Sequence, residues 1–183
     1  MRNNAVLPMI LGLLLIPQGL PAGEELTANN LPTFLKAYQT NFNPLDAVYV
    51  DLENENLVLR GEGGQLLERR HVEDRRRELA QLRKTTSDVA ANPRDVVLAL
   101  RLAIQTESLA DDLFDLSQIA YENDREELGK RLSDLQITME HNRDLLQTFA
   151  LNLAGEQQER LRQLEQENEE LQRRLKSTEE TQK

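Results

Sequence analysis

From Gln65 onward, apolar residues recur at helical spacing almost to the end of the chain, and breakers cut that pattern into three rods. Leu66 to Ala90 forms the first, ended by Asn92-Pro93, with Pro93 suited to the first turn of the next helix. Asp95 to Glu122 forms the second, broken near Asn123-Asp124, and Arg125 to Ala154 the third, with Gly155 as its weak point. At a rise of 1.5 Å per residue, each would span about 40 Å. Short connections force antiparallel neighbours. In the second rod Val96, Val97, Leu98, Leu100, Leu102, Ala103 and Ile104 cover most of the circumference, as expected of a helix packed on both sides. In the third, Leu128, Leu132, Leu135, Met139, Asn142, Leu146, Phe149 and Leu153 alternate at intervals of four and three, a heptad seam with one polar layer.

Upstream the pattern is shorter. Asn30-Leu31-Pro32 reads as a helix start with Asn30 as N-cap. Leu31, Phe34, Leu35, Tyr38 and Phe42 then follow at helical spacing, and Asn43-Pro44 stops them. Val48 to Leu52 and Leu57 to Leu59 are two β-prone runs around a polar turn, ending at Gly61; they predict a small β-hairpin laid on the helical body or on a partner. The expected fold is therefore all-α, with this minor β-hairpin: an antiparallel three-helix bundle over residues 62–154, preceded by residues 23–61 and followed by a coiled-coil extension over residues 155–183.

That extension carries the most specific signal. Leu161, Leu164, Asn168, Leu171 and Leu175 fall at alternating core positions, but the register slips by one residue at Gly155, so this segment reads as a separate element. Asn168 at a core position favours a two-stranded coil in register with its own copy. In a parallel homodimer Arg160 would meet Glu165, Glu167 would meet Gln172, and Arg174 would meet Glu179. Two of these pairs attract and none repels. The bland alternative is a solvated single helix held by i,i+4 pairs.

At the other end, residues 1–22 read as a secretory signal. Arg2 is the sole charge before Glu24, Met9 to Ile16 forms an apolar core, and Leu20-Pro21-Ala22 precedes a cleavage point after Ala22 or Gly23. Even counted from Ala5 to Ile16, the run is short of the roughly 20 residues a membrane span needs. An exported chain with no cysteine and no N-glycosylation sequon leans toward a bacterial periplasm or envelope.

Composition narrows the chemistry. The absence of cysteine excludes disulfides, thiolate metal sites and a cysteine nucleophile. Lys+Arg 22 against Asp+Glu 32 gives a net charge of −10, which argues against nucleic acid. Arg69, Arg70, Arg75, Arg76 and Arg77 crowd together, yet Glu68, Glu73, Asp74 and Glu78 interleave with them. Folding the first two rods about Ala91-Asn92 sets Arg76 level with Glu107, and Arg69 and Arg70 near Asp111, Asp112 and Asp115. Interhelical ion pairs are the favoured reading, ahead of a phosphate or headgroup site. Glu68-x-x-His71, with Asp112 and Asp115 opposite, is half of a di-iron carboxylate pattern. The second half is missing, because His141 has Thr138 three residues back, and the arginines oppose a dication.

No nucleophile elbow, Walker lysine motif or dinucleotide fingerprint is present, and Gly61-Glu62-Gly63-Gly64 lacks the spacing and the setting. The expectation is an exported, non-enzymatic scaffold or adaptor without cofactor. It would homodimerise through its C-terminal coil and present the Leu31–Phe42 helix or the hairpin to a protein partner. Its alternatives are a chaperone-like periplasmic module and a ligand- or metal-responsive bundle.

Overall fold

The computed structural model describes residues 25–181, with side chains to residue 177; the expected signal segment lies outside these residues. The chain is all-α: α1 Leu31–Thr40, α2 Phe42–Asn54, α3 Arg69–Ala91, α4 Val96–Glu122 and α5 Glu126–Thr181. The breaks between the long helices fall where their stop signals predict. Asp95 caps α4, its side chain accepting from the Leu98 N–H at 3.0 Å.

The N-terminal region departs from expectation. Residues 48–52, read as a strand, lie inside α2. Phe42, Leu45, Val48, Tyr49 and Leu52 are all buried, a three-and-four spacing that overrides the local β preference of Val-Tyr-Val. The chain breaks at Asn41 rather than at Pro44. Pro44 falls in the first turn of α2, where its missing N–H has no intrahelical partner to lose. Asn30 occupies the N-cap position of α1, but its Oδ1 accepts from the Thr27 N–H at 2.7 Å and leaves the helix without a side-chain cap.

Among the described residues, the one strand-like pairing is an isolated antiparallel bridge between Val58 and Leu66. It encloses a turn whose Gly64 sits at φ +56°, in the left-handed region that glycine adopts without steric cost. Asn123 ties this loop to the α4–α5 turn, accepting from the Val58 N–H at 2.9 Å while its amide donates to the Val58 carbonyl at 3.3 Å.

Packing also departs from a three-rod bundle. α4 lies chiefly along α5, with α3 on its other flank. The groove left between α3 and α5 is filled by α1, which rests on α3, and α2, which touches both. Tyr38 reaches across it, its hydroxyl 2.8 Å from Thr106 Oγ1 of α4. The body is therefore four-sided, and its fourth side is α1 followed by α2. The buried face of α1 (Leu31, Phe34, Leu35, Tyr38) is core, so the apolar side of this helix faces the body. The α5 seam is buried as expected except for Leu135, which is half-buried. On α4 the expected all-round burial fails: Val97, Leu100 and Ile104 are 64%, 48% and 55% exposed.

Helix α2 can be distinguished from a strand by mutation. Leu45→Ala is expected to cost about 2–5 kcal/mol, as a truncation in a packed core. Val50→Ala, on the outer face, should stay within about 0.5 kcal/mol. Urea unfolding of both variants checks this, and equal costs at Val50 and Leu45 would contradict the helix.

Candidate functional site

Two features stand out: a charged cavity in the body and an apolar stripe along a projecting arm. The cavity, of about 200 Å³, opens between α2, the loop over residues 57–67, α3 and α4. Leu59, Leu67 and Leu116 give it apolar walls, while His71, Arg75, Asp112 and Asp115 bring polar groups to it. Arg75 Nη1 lies 2.6 Å from Asp112 Oδ2, and the Asp112 side chain is only 13% exposed. Burial pushes the Asp112 carboxyl up to about 6, with Glu78, Asp115 and Asp111 adding to the rise and the Arg75 guanidinium opposing it.

Tyr49 also lines the cavity, 1% exposed, and its hydroxyl has no hydrogen-bond partner among the described residues. Burial, reinforced by the Asp112 charge, holds its phenol well above the usual tyrosine range. A pocket with apolar walls, a carboxyl poised near neutrality and an unsatisfied hydroxyl can hold a small molecule with an apolar body and one polar group. For a metal the fit is poor. Arg75 already occupies Asp112, and among the described residues no group of three His, Asp or Glu is placed to hold an ion. The structure brings His71, Asp112 and Asp115 to one cavity; Glu68 is exposed at the N-cap of α3 and does not line it.

The arginines of α3 do pair between helices, though mostly with α2. Arg76 meets Glu53 at 2.9 Å rather than Glu107, and Arg83 meets Asp46 while its guanidinium lies 5.0 Å from the centre of the Phe42 ring. Arg69 pairs with Glu73 on its own helix at 3.0 Å, and Arg70 is exposed. Asp111 and Asp115 are exposed, Glu107 is half-buried, and the acid of α4 that α3 takes is Asp112, through Arg75. The register differs from expectation by about one turn, because the α3–α4 connection is centred on Pro93-Arg94 rather than Ala91-Asn92. On its other flank α2 meets α5, Asp51 with Arg131 at 2.6 Å and Glu55 with Arg125 at 2.8 Å.

A sequence signal for the α2–α3 pairs existed. Asp46 and Glu53 are seven residues apart, as are Arg76 and Arg83, and the pairs run in opposite order, as antiparallel helices require. Reading residues 48–52 as a strand hid it.

The arm is the continuation of α5. The helix runs unbroken through Gly155 for 56 residues, about 84 Å. Its last contact with the α3–α4 turn is the Gln157 amide donating to the Arg94 carbonyl at 3.1 Å. Beyond it Leu161, Leu164, Leu171 and Leu175 are 61%, 44%, 58% and 66% exposed, with Asn168 among them. Ion pairs such as Glu169–Arg173 decorate the same segment at exposed positions. The register slip at Gly155 does not mark a separate element. In a straight helix of 3.6 residues per turn a strict heptad drifts around the axis, and the one-residue step brings the leucines back to their face.

No protein-family model matches this chain, and no curated protein or solved structure shows significant similarity to it. Among the described residues no helix is long and apolar enough to cross a membrane.

Two measurements probe the cavity. Because the folded state holds the Asp112 proton more tightly than the unfolded chain, this group stabilises the fold below about pH 4, and that contribution is lost as pH rises through 6. Asp112→Asn should therefore be more stable than the parent at pH 7.5, on the order of 1 kcal/mol after solvent screening, with the gap closing toward pH 4. Denaturant melts across that range would refute it if the gap widened on acidification. Tyr49→Phe, which deletes an unpartnered buried hydroxyl, should raise stability by about 1 kcal/mol. A lower melting temperature would count against that account of Tyr49.

Proposed function

We propose that this protein is an exported, non-enzymatic helical scaffold that self-associates through the C-terminal arm of α5 and thereby holds partner-binding surfaces at a fixed spacing in the cell envelope. The observation that carries this reading is the contrast along one helix. The seam leucines of α5 are buried or half-buried up to Leu153, whereas Leu161, Leu164, Leu171 and Leu175 repeat on a segment that no other element among the described residues covers. Such a row on a free rod is covered by another helix in a coiled coil, and a second copy supplies one with the same periodicity. The adaptor half of the proposal rests on Val97, Leu100 and Ile104, an exposed row at helical spacing on α4. The signal reading of residues 1–22 supports export, and the lack of any motif with a catalytic context supports a non-enzymatic role.

The cavity beside Tyr49 and Asp112 favours a second reading, a bundle responsive to a small amphipathic ligand. A thermal-shift screen of small apolar amines and alcohols, repeated on Tyr49→Phe, tests it; shifts that survive the substitution unchanged would remove Tyr49 from the site.

Light scattering tests the main proposal. The chain from residue 23 to 183 is expected to run as a dimer, and the same chain ending at Gly155 as a monomer. Leu164→Ser combined with Leu171→Ser should also give a monomer while leaving the melting of the body unchanged. Equal masses for all three would refute self-association through the arm.

A further inference from the structure

The continuity of α5 constrains how a second copy sits on the arm. Eighteen residues make about five turns of an α-helix, so residues eighteen apart share one direction around the axis. Leu146 and Leu164, Ala150 and Asn168, and Leu153 and Leu171 are such pairs. The first member of each is buried in the body. The arm therefore displays, beyond the α3–α4 turn, the face that is buried within the body. A helix seated on the arm must lie beyond the body, starting where Arg94 meets Gln157.

We infer that two copies pair arm to arm in antiparallel orientation, the bodies at opposite ends of one extended rod. This inference rests on the self-association proposed above and specifies its geometry. In a parallel pair, the second copy's α5 on the N-terminal side of Gln157 would run into the line occupied by the body of the first, and by symmetry the converse. An antiparallel partner ends at that line instead and carries its own body away beyond the first arm's tip.

Charge chooses the register. Setting Leu164 of one copy opposite Leu175 of the other also sets Glu167 against Arg174, twice by symmetry, and Glu165 against the neutral Gln172. Sliding by one heptad, with Leu161 opposite Leu171, would instead face Arg160 with Arg174, Glu167 with Glu167 and Glu165 with Glu165, all repulsive. In the favoured register the two Asn168 side chains lie one layer apart, about 4.5 Å along the axis.

The chain has no cysteine, so single spin labels report without background. Labels at Gln158→Cys should lie about 35 Å apart in the antiparallel dimer, and at Ser177→Cys about 22 Å, by the rise per residue. A parallel coil would bring both pairs to about 10–15 Å. Light scattering on the labelled proteins separates the two levels of failure. A dimer with short distances at both sites overturns the antiparallel arrangement and leaves self-association standing, whereas a monomer overturns self-association itself.

A charge exchange gives a second readout. Glu167→Arg should weaken the dimer about tenfold, and adding Arg174→Glu should restore it. In the parallel register the added substitution would face Glu179 and weaken the dimer further, so failure of the double variant to recover also overturns the inference.

Discussion

The packing of α5 along α4 governs the rest of this molecule. It is the most extensive helix pair in the body, and its seam runs from Leu128 to Leu153, buried throughout except at the half-buried Leu135. The helix does not stop where that packing stops. A rigid rod held along half its length carries the orientation of the held half into the free half. The arm's leucines therefore have a fixed direction relative to the body, although none of them is buried by it.

On the opposite side of the body, α2 plays the complementary part. Its apolar edge fills the groove between α3 and α5, and its two acidic edges face arginines on each: Asp46 and Glu53 toward α3, Asp51 and Glu55 toward α5. Ion pairs this exposed are individually worth only about 0–1 kcal/mol. Their sign matters more than their strength. An acidic helix lowered between two arginine-bearing rods has one favourable seat, and Leu45 and Leu52, both almost fully buried, supply the stabilisation once it is there. Arg75–Asp112 differs from this set. It is set deeper, its carboxyl has lost much of its hydration, and it faces a cavity with an unpartnered hydroxyl.

How much of this could be read from residues alone varied with the range of the interaction. The end of α3, the boundaries of α4 and the start of α5 followed from Asn92-Pro93, Asp95 and Asn123-Asp124, because capping and breaking are properties of a few neighbouring residues. The α5 seam was equally legible. Val48 to Leu52 was misread because a five-residue apolar stretch fits either period, and the arbiter was a groove made by helices far along the chain. The arginines of α3 were recognisable as interhelical partners, but not whose partners. A one-turn change at the Asn92–Asp95 connection replaces every facing residue, and the fourth side of the body offered acids nearer than those of α4. The cavity had no signal of its own, since Tyr49, His71 and Asp112 come from three separate helices.

Helix content, the end of α3, both ends of α4, the start of α5 and the leucine period of the arm were thus written into local sequence, where spacing along one chain is the whole of the physics. Only tertiary structure decided that α2 is a helix and which acid each arginine meets. Those outcomes depend on distances between segments, and in a packed bundle a single turn's difference in one connection changes them all.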